Sequence, residues 1–216
     1  MNRAEQVAAT RARLLRAGER LFAEQGIHQV RLREINALAG QRNSSALHYH
    51  FGSREGLVEA ILSDHQRAMD LAVRPALDEV VARGQPTVRA IVSVWVDALV
   101  DQLQSESGRD FLRILPQVLD TVNRTVRQGA DLRDSAQSAR TFALLDACIA
   151  ELPTAVRRER LVAYALILTT LFADRAALVE SGGDVALDDE QFAAHATDVI
   201  CGALETASSF VSSKEA

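Results

Sequence analysis

The stretch SSALHYHFGSREGLVEAIL, from Ser44 to Leu62, crowds two serines and two histidines beside a tyrosine. Such residues can build a metal site, a nucleophile and base, or a surface that hydrogen-bonds another molecule. His48 and His50 stand two apart. Positions two apart on a helix are turned by about 200° and share no face, so the pair lacks the i,i+4 arrangement that binds zinc. His28, His65 and His195 are scattered, and Cys148 and Cys201 are far from any C-x-x-C spacing. No metal and no cofactor is expected. Serine beside histidine suggests acyl chemistry, but there is no strand-turn-helix elbow and no glycine-rich phosphate cradle, so a non-enzymatic protein is expected.

Hydrogen bonding to a groove remains, and the surrounding elements fit it. Gly52 suits the position just past a helix end, and Ser53 suits the N-cap of the next helix. A helix of about two turns should therefore start at Asn43 or Ser44 and stop at Phe51. On it Ala46, Leu47, His50 and Phe51 fall on one side and Ser44, Ser45 and His48 on the other. Upstream, residues 4–25 form an amphipathic helix with Leu14, Leu21 and Phe22 on its apolar face. VRLREINALAG then gives a short second helix around Leu32, Ile35, Leu38 and Ala39, ended by Gly40. Two short helices across a glycine-containing turn make a helix-turn-helix, whose second helix enters the DNA major groove.

Charge is distributed to match. The net charge is −5, yet residues 1–56 hold nine Arg against five Glu, +4, while the rest holds fifteen Lys and Arg against twenty-four Asp and Glu, −9. The basic part can face phosphate, and the acidic part should face away from it.

The pieces RLLRAGERLFAEQG, LREINALAG and above all ALHYHFGSREGLVEAIL resemble the TetR family of transcriptional regulators, over about residues 8–62. The resemblance implies three DNA-binding helices, a fourth that links them to a larger helical domain, and dimers on palindromic operators. It matches Ser44, Ser45 and His48 to outward positions of the recognition helix, and Tyr49 and Arg54 to residues that reach backbone phosphate. Arg31, Arg33, Arg42 and Asn43 are further phosphate or base candidates. Here Val30-Arg31 replaces the family's usual Thr or Ser cap before the second helix, which leaves Arg31 to offset that loss. Between Gly40 and Phe51 the chain is one residue longer than the common family spacing.

Composition supports an all-α fold: 48% hydrophobic, 5% aromatic, few Pro and Gly, and much Ala, Leu, Arg and Glu. The expected organisation is a helix-turn-helix DNA-binding domain over 1–52, then a larger ligand-binding and dimerisation domain over 53–216 with helix 4 as connector. Helix 4 should end near Val73, before Pro75. Further helices fit 76–82, 87–105, 109–128, 133–151, 154–181 and 189–210, with breaks at Gly84-Gln85-Pro86, Gly108, Gly129, Pro153 and Gly182-Gly183. Both cysteines read as free buried thiols, and SSKEA as a frayed tail.

Polar or aromatic residues within apolar helices, Trp95, Phe111, Arg113, Gln117 and Asp146, are the ligand-pocket candidates. The run Leu161 to Ala173 is apolar nearly all round. With the stripe in the last helix it suggests a two-fold four-helix interface of Leu161, Tyr164, Leu168, Leu171, Phe172, Val199, Ile200, Ala203 and Leu204. That run is too short to span a bilayer, and the N-terminus lacks a signal-peptide core. The resulting expectation is a cytoplasmic homodimeric regulator, a repressor, that binds double-stranded DNA and is released by an unknown small-molecule effector. The alternative is a helical ligand-binding or interaction adaptor without sequence-specific DNA binding.

Overall fold

In the computed structural model, residues 2–41, 43, 45–128 and 136–209 are described, except the side chains of 120–122, 125 and 128. Among them all regular structure is helical: α1 (Arg3–Gln25), α2 (Leu32–Leu38), α3 (Ala46–Phe51), α4 (Arg54–Ala82), α5 (Val88–Leu103), α6 (Glu106–Gln128), α7 (Ala136–Cys148), α8 (Thr154–Glu180) and α9 (Asp189–Glu205). The fold is all-α, an N-terminal helix-turn-helix followed by a larger helical bundle.

Local signals set most boundaries. Asn2 Oδ1 accepts the Glu5 N–H at 2.8 Å while Glu5 Oε2 accepts the Asn2 N–H at 2.8 Å, a capping box that starts α1. Asp188 and Gln191 make the same reciprocal pair at 2.8 and 3.2 Å before α9. Thr87 caps α5 through the Ala90 N–H, at 3.2 Å.

Two expected breaks are absent. The α4 helix runs through Pro75 to Ala82 as one rod of 29 residues, which merges the expected 76–82 helix into it. Pro75 removes the N–H that would bond the Leu71 carbonyl. Leu71, Arg74, Pro75 and Asp78 are all exposed, so the freed carbonyl lies on the hydrated face. On the opposite face Met69, Val73 and Leu77 are buried and pin both halves of the helix to one core. Gly108 lies inside the first turn of α6 instead of ending a helix. A Cβ there would sit 2.1 Å from the Gln102 carbonyl oxygen, so glycine lets the start of α6 press against the end of α5. The last helix stops at Glu205, short of 210; Gly129, residues 133–135 and the SSKEA tail lie outside the described residues.

Two apolar cores result. The first joins Leu14, Leu21 and Phe22 of α1 with Ile35, Leu47, and Leu57 and Ile61 of α4; Ile114 of α6 completes it. The second packs α4–α9 around Leu77, Ile91, Val96, Leu112, Leu145, Phe172 and Ile200. Thus α4 and α6 each contribute to both cores. Both cysteines are free; Cys201 is buried, and the Cys148 thiol donates to the Pro86 carbonyl at 3.1 Å.

The α8 helix is 27 residues long and, by length and composition alone, apolar enough to cross a membrane, which the shorter run from Leu161 to Ala173 had not suggested. In the fold it is a core helix, with Leu161, Val162, Tyr164, Leu168 and Phe172 all buried. The Tyr164 hydroxyl, fully enclosed, is pushed above its ordinary pKa by burial.

Candidate nucleic-acid interface

The short helix α3 buries one residue, rests Ala46 and Phe51 against the first core, and displays His48 and Tyr49. Leu47 is fully buried in the first core, while Ser45, His48 and Tyr49 are exposed, Tyr49 to 78%. An aromatic ring so exposed beside a buried leucine has no role in packing that core, and it presents a flat face and a hydroxyl outward. His50 and Phe51 are half-buried and support the helix. His50 meets Tyr49 edge-on at 5.0 Å, and the Arg11 guanidinium lies over the Phe51 ring at 5.1 Å.

The joint after α3 is tight. Gly52 has φ +74° and ψ −51°, and the Ser53 N–H donates to the Phe51 carbonyl at 2.8 Å, a γ-turn that only glycine enters readily. Ser53 Oγ then accepts the Gly56 N–H at 3.1 Å to start α4. A Cβ on Gly56 would lie 2.1 Å from the Phe51 carbonyl oxygen.

Asn43 is exposed, but its Oδ1 accepts the Ser45 N–H at 2.9 Å, so that acceptor is used to begin α3. Arg31 and Arg33 are exposed at the start of α2. The missing Thr or Ser cap there is offset by Glu34 instead of Arg31: Glu34 Oε2 accepts the Arg31 N–H at 3.0 Å, which leaves the Arg31 guanidinium outside the capping interaction. Arg54 is half-buried, and its Nη1 donates to the Ile27 carbonyl at 2.5 Å, tying the start of α4 to the α1–α2 turn. Arg42 and Ser44 lie outside the described residues. Asn43, Ser45, His48 and Tyr49 are thus exposed on and just before α3, and Arg31 and Arg33 are exposed at the start of α2, while Arg54 already has a structural partner.

Sequence reasoning missed a charged cluster beneath this unit, where α1, α4 and α6 meet. Glu19, only 2% exposed, accepts from Arg16 Nη1 and Ser107 Oγ, both at 2.8 Å, and from His65 Nε2. Arg16 also donates to the buried Asp110 at 2.6 Å, and His65 stacks on Phe111 with ring centres 4.3 Å apart. Burial pushes the Asp110 carboxyl above its ordinary pKa, against the pull of Arg16. Ser107, His65 and Glu19 are the residue types of a hydrolytic triad, but Ser107 and Glu19 approach the same imidazole nitrogen. A relay needs them on opposite nitrogens. Nothing in the sequence spacing of Glu19, His65 and Ser107 marks them as neighbours.

The expected pocket residues all have partners within the fold. Trp95 Nε1 donates to Thr141 Oγ1 at 2.7 Å, and Phe111 is buried against His65. Arg113 lies 3.7 Å from Asp110, and Asp146 pairs with Arg157 at 2.8 Å. Gln117 reaches the end of α1, where its Oε1 accepts the Ile27 N–H at 2.8 Å and its Nε2 donates to the Phe22 carbonyl at 3.2 Å. An open cleft of ≈ 390 Å³ lies elsewhere, on α8, lined by Ala155, Val156, Glu159, Arg160, Ala163 and Ser208.

The interface residues expected on α8 and α9 also need correction. Leu161, Tyr164, Leu168, Phe172, Ile200 and Leu204 are buried within the chain's own second core. An apolar all-round helix here is covered by α6, α7 and α9 of the same chain. Leu171 and Ala203 are half-buried, and Val199 is 40% exposed. The large apolar residues that α8 turns outward are Leu166 and Leu178.

Residues 14–61 match the family of bacterial regulatory proteins named tetR. That span runs from Leu14 to Ile61, the first and last members of the first core before α6 closes it. The helix-turn-helix is that of a TetR-family transcriptional regulator. No curated protein matches the chain. Among solved structures, a tetR-family transcription regulator from Shewanella sp. PV-4 is 17% identical over 90% of this chain and 97% of its own, with a TM-score of 0.57, and so shares the fold. TetR-family regulators from Mesorhizobium loti and Streptomyces coelicolor align over 94% and 91% of this chain and 98% and 95% of theirs, at 14% and 21% identity and TM-scores of 0.47 and 0.41. The match over residues 14–61 supports DNA-binding transcription regulation.

Proposed function

We propose that the chain is a cytoplasmic homodimeric repressor that reads a palindromic operator through α3 and is released by a small-molecule effector. The observation that carries the reading is the outward face of α3, where Ser45, His48 and Tyr49 stand exposed above the buried Leu47. Hydroxyl and imidazole edges suit bases, and Tyr49 with Arg31 and Arg33 suits phosphate. Arg54 acts by holding the α4 N-terminus, and a phosphate role for it is secondary.

Two copies would place two α3 helices about one duplex turn, ~34 Å, apart. The pairing surface we propose is the outward stripe Leu166, Thr170 and Ala177 of α8 beside Val199 and Gly202 of α9, all exposed. Small residues in such a stripe allow close helix approach. As a division of labour, residues 1–52 read DNA and 53–216 sense and pair, with α4 shared between the two cores.

Release by an effector is supported by the coupling of the two cores through α6. Ile114 and Gln117 hold the α1 end of the reading unit, and the same helix packs against α8. The buried Asn123 Oδ1 on α6 and the half-buried Gln137 Oε1 on α7 have no hydrogen-bond partner among the described residues, and an effector could satisfy them. Non-enzymatic action accords with the family.

The test is enrichment of bound duplexes from a random library at physiological salt. A two-fold symmetric sequence supports the reading. Weak binding with no enriched sequence, at any salt, favours the adaptor and overturns it.

A further inference from the structure

We infer that His48 is held as a hydrogen-bond acceptor toward DNA and selects the strand that offers an exocyclic amino group at its position. The inference rests on the DNA-reading function proposed above and adds which atom does the reading.

The geometry of the α3–α4 joint carries it. His48 Nδ1 lies 2.7 Å from the Gly52 carbonyl oxygen, and the Gly52 N–H in turn lies 2.9 Å from the His48 carbonyl. A carbonyl oxygen can only accept, so Nδ1 must carry the proton that joins them. The γ-turn at Gly52 brings that carbonyl back toward the imidazole. No atom would meet a Cβ at Gly52, so it is the positive φ that demands glycine there. The ring is therefore tied at Nδ1, and in the neutral imidazole the other nitrogen, Nε2, is a bare acceptor on an exposed side chain.

In the major groove the only donors on base edges are the N6 amino group of adenine and the N4 amino group of cytosine. Guanine O6 and N7 and thymine O4 are acceptors and would face the Nε2 lone pair unfavourably. Every base pair shows one amino group in the major groove, so neutral His48 distinguishes the strand and position of that group. This differs from an arginine or lysine, which donates to guanine.

The experiment starts from the enriched operator and finds the base pair whose preference is lost in His48→Ala. At that pair the major-groove amino group is deleted, using 2-aminopurine opposite thymine for adenine, which keeps both pairing hydrogen bonds, or 2-pyrimidinone for cytosine, which keeps two of three, with His48→Ala as the control for the weakened pair. Wild-type protein at about pH 8 should lose about 5- to 10-fold in affinity, the worth of one hydrogen bond. His48→Ala should not respond. In the free protein, ring ¹⁵N shifts of His48 should report the Nδ1-protonated tautomer.

An Nε2-protonated tautomer overturns the inference even if an operator is found. So does a wild-type protein that is indifferent to the missing amino group but loses affinity when a 7-deazapurine removes the purine N7 at the same pair. Failure to enrich any sequence overturns the DNA-reading function and this inference together.

Discussion

Glu19→Gln is the substitution that most sharply tests how the reading unit is fastened to the bundle. Glu19 is nearly inaccessible, and three donors from three helices converge on its carboxylate: Arg16 of α1, His65 of α4 and Ser107 of α6. Glutamine keeps the volume but has one acceptor oxygen and places an NH₂ among donors. Hydrogen bonds to a charged group contribute about 1.5–3 kcal/mol each. Arg16 loses least, because it keeps Asp110 at 2.6 Å and its side chain is 35% exposed. His65, packed on Phe111, and Ser107 cannot easily turn elsewhere, and the one remaining oxygen serves only one of them. The expected loss is therefore about 2–3 kcal/mol, read from urea unfolding with an unchanged m-value. Arg83→Gln is the control. Its partner Glu79 forms an exposed i,i+4 pair, and such pairs change stability by about 0.5 kcal/mol or less. If Glu19→Gln cost no more than Arg83→Gln, the cluster would not fasten α1 to α4 and α6.

Ile114→Ala should cost about 2–4 kcal/mol by unfolding, since a fully buried α6 side chain closes the first core; a loss below about 1 kcal/mol would mean that α6 is not part of it. Asp189 has its pKa lowered by the hydrogen bond from Arg175 and then by Gln104. Its contribution is present above the unfolded carboxylate range, about 3.9, and is lost as pH falls through the lower folded value. Asp189→Asn should therefore flatten the acid side of Tm against pH, and an unchanged acid limb would contradict that assignment. Leu166→Glu together with Val199→Glu should shift sedimentation from dimer to monomer while leaving the helical circular dichroism intact; a persistent dimer would place the interface elsewhere.

The local half of this structure was legible because local rules decide it. Gly26, Gly52 and Ser53 end and start helices by backbone chemistry that a reader can apply without tertiary knowledge, and Leu47 falls on the core side by simple spacing. What could not be read depends on what covers a residue. Pro75 looks like a stop until Val73 and Leu77 are seen buried on either side of it. Leu161, Tyr164, Leu168 and Phe172 look like a partner's surface until the neighbouring helices of the same chain are seen to cover them. Gly108 marks a close helix approach, which leaves the same letter as a break. Arg54 lies in the phosphate-binding pattern of the family, yet the Ile27 carbonyl, distant in sequence, takes its guanidinium. The Glu19–His65–Ser107 cluster joins three helices with no shared periodicity, so no spacing rule could reveal it.

The central claim is that the outward face of α3 meets DNA. The direct measurement places the photo-crosslinking residue p-benzoylphenylalanine at Tyr49, with the same residue at the exposed Leu71 of α4 as the comparison. Irradiation with the enriched operator should give a protein–DNA crosslink from position 49 and none from position 71. Crosslinking from 71 with none from 49, in a variant that still binds the operator, would contradict the account.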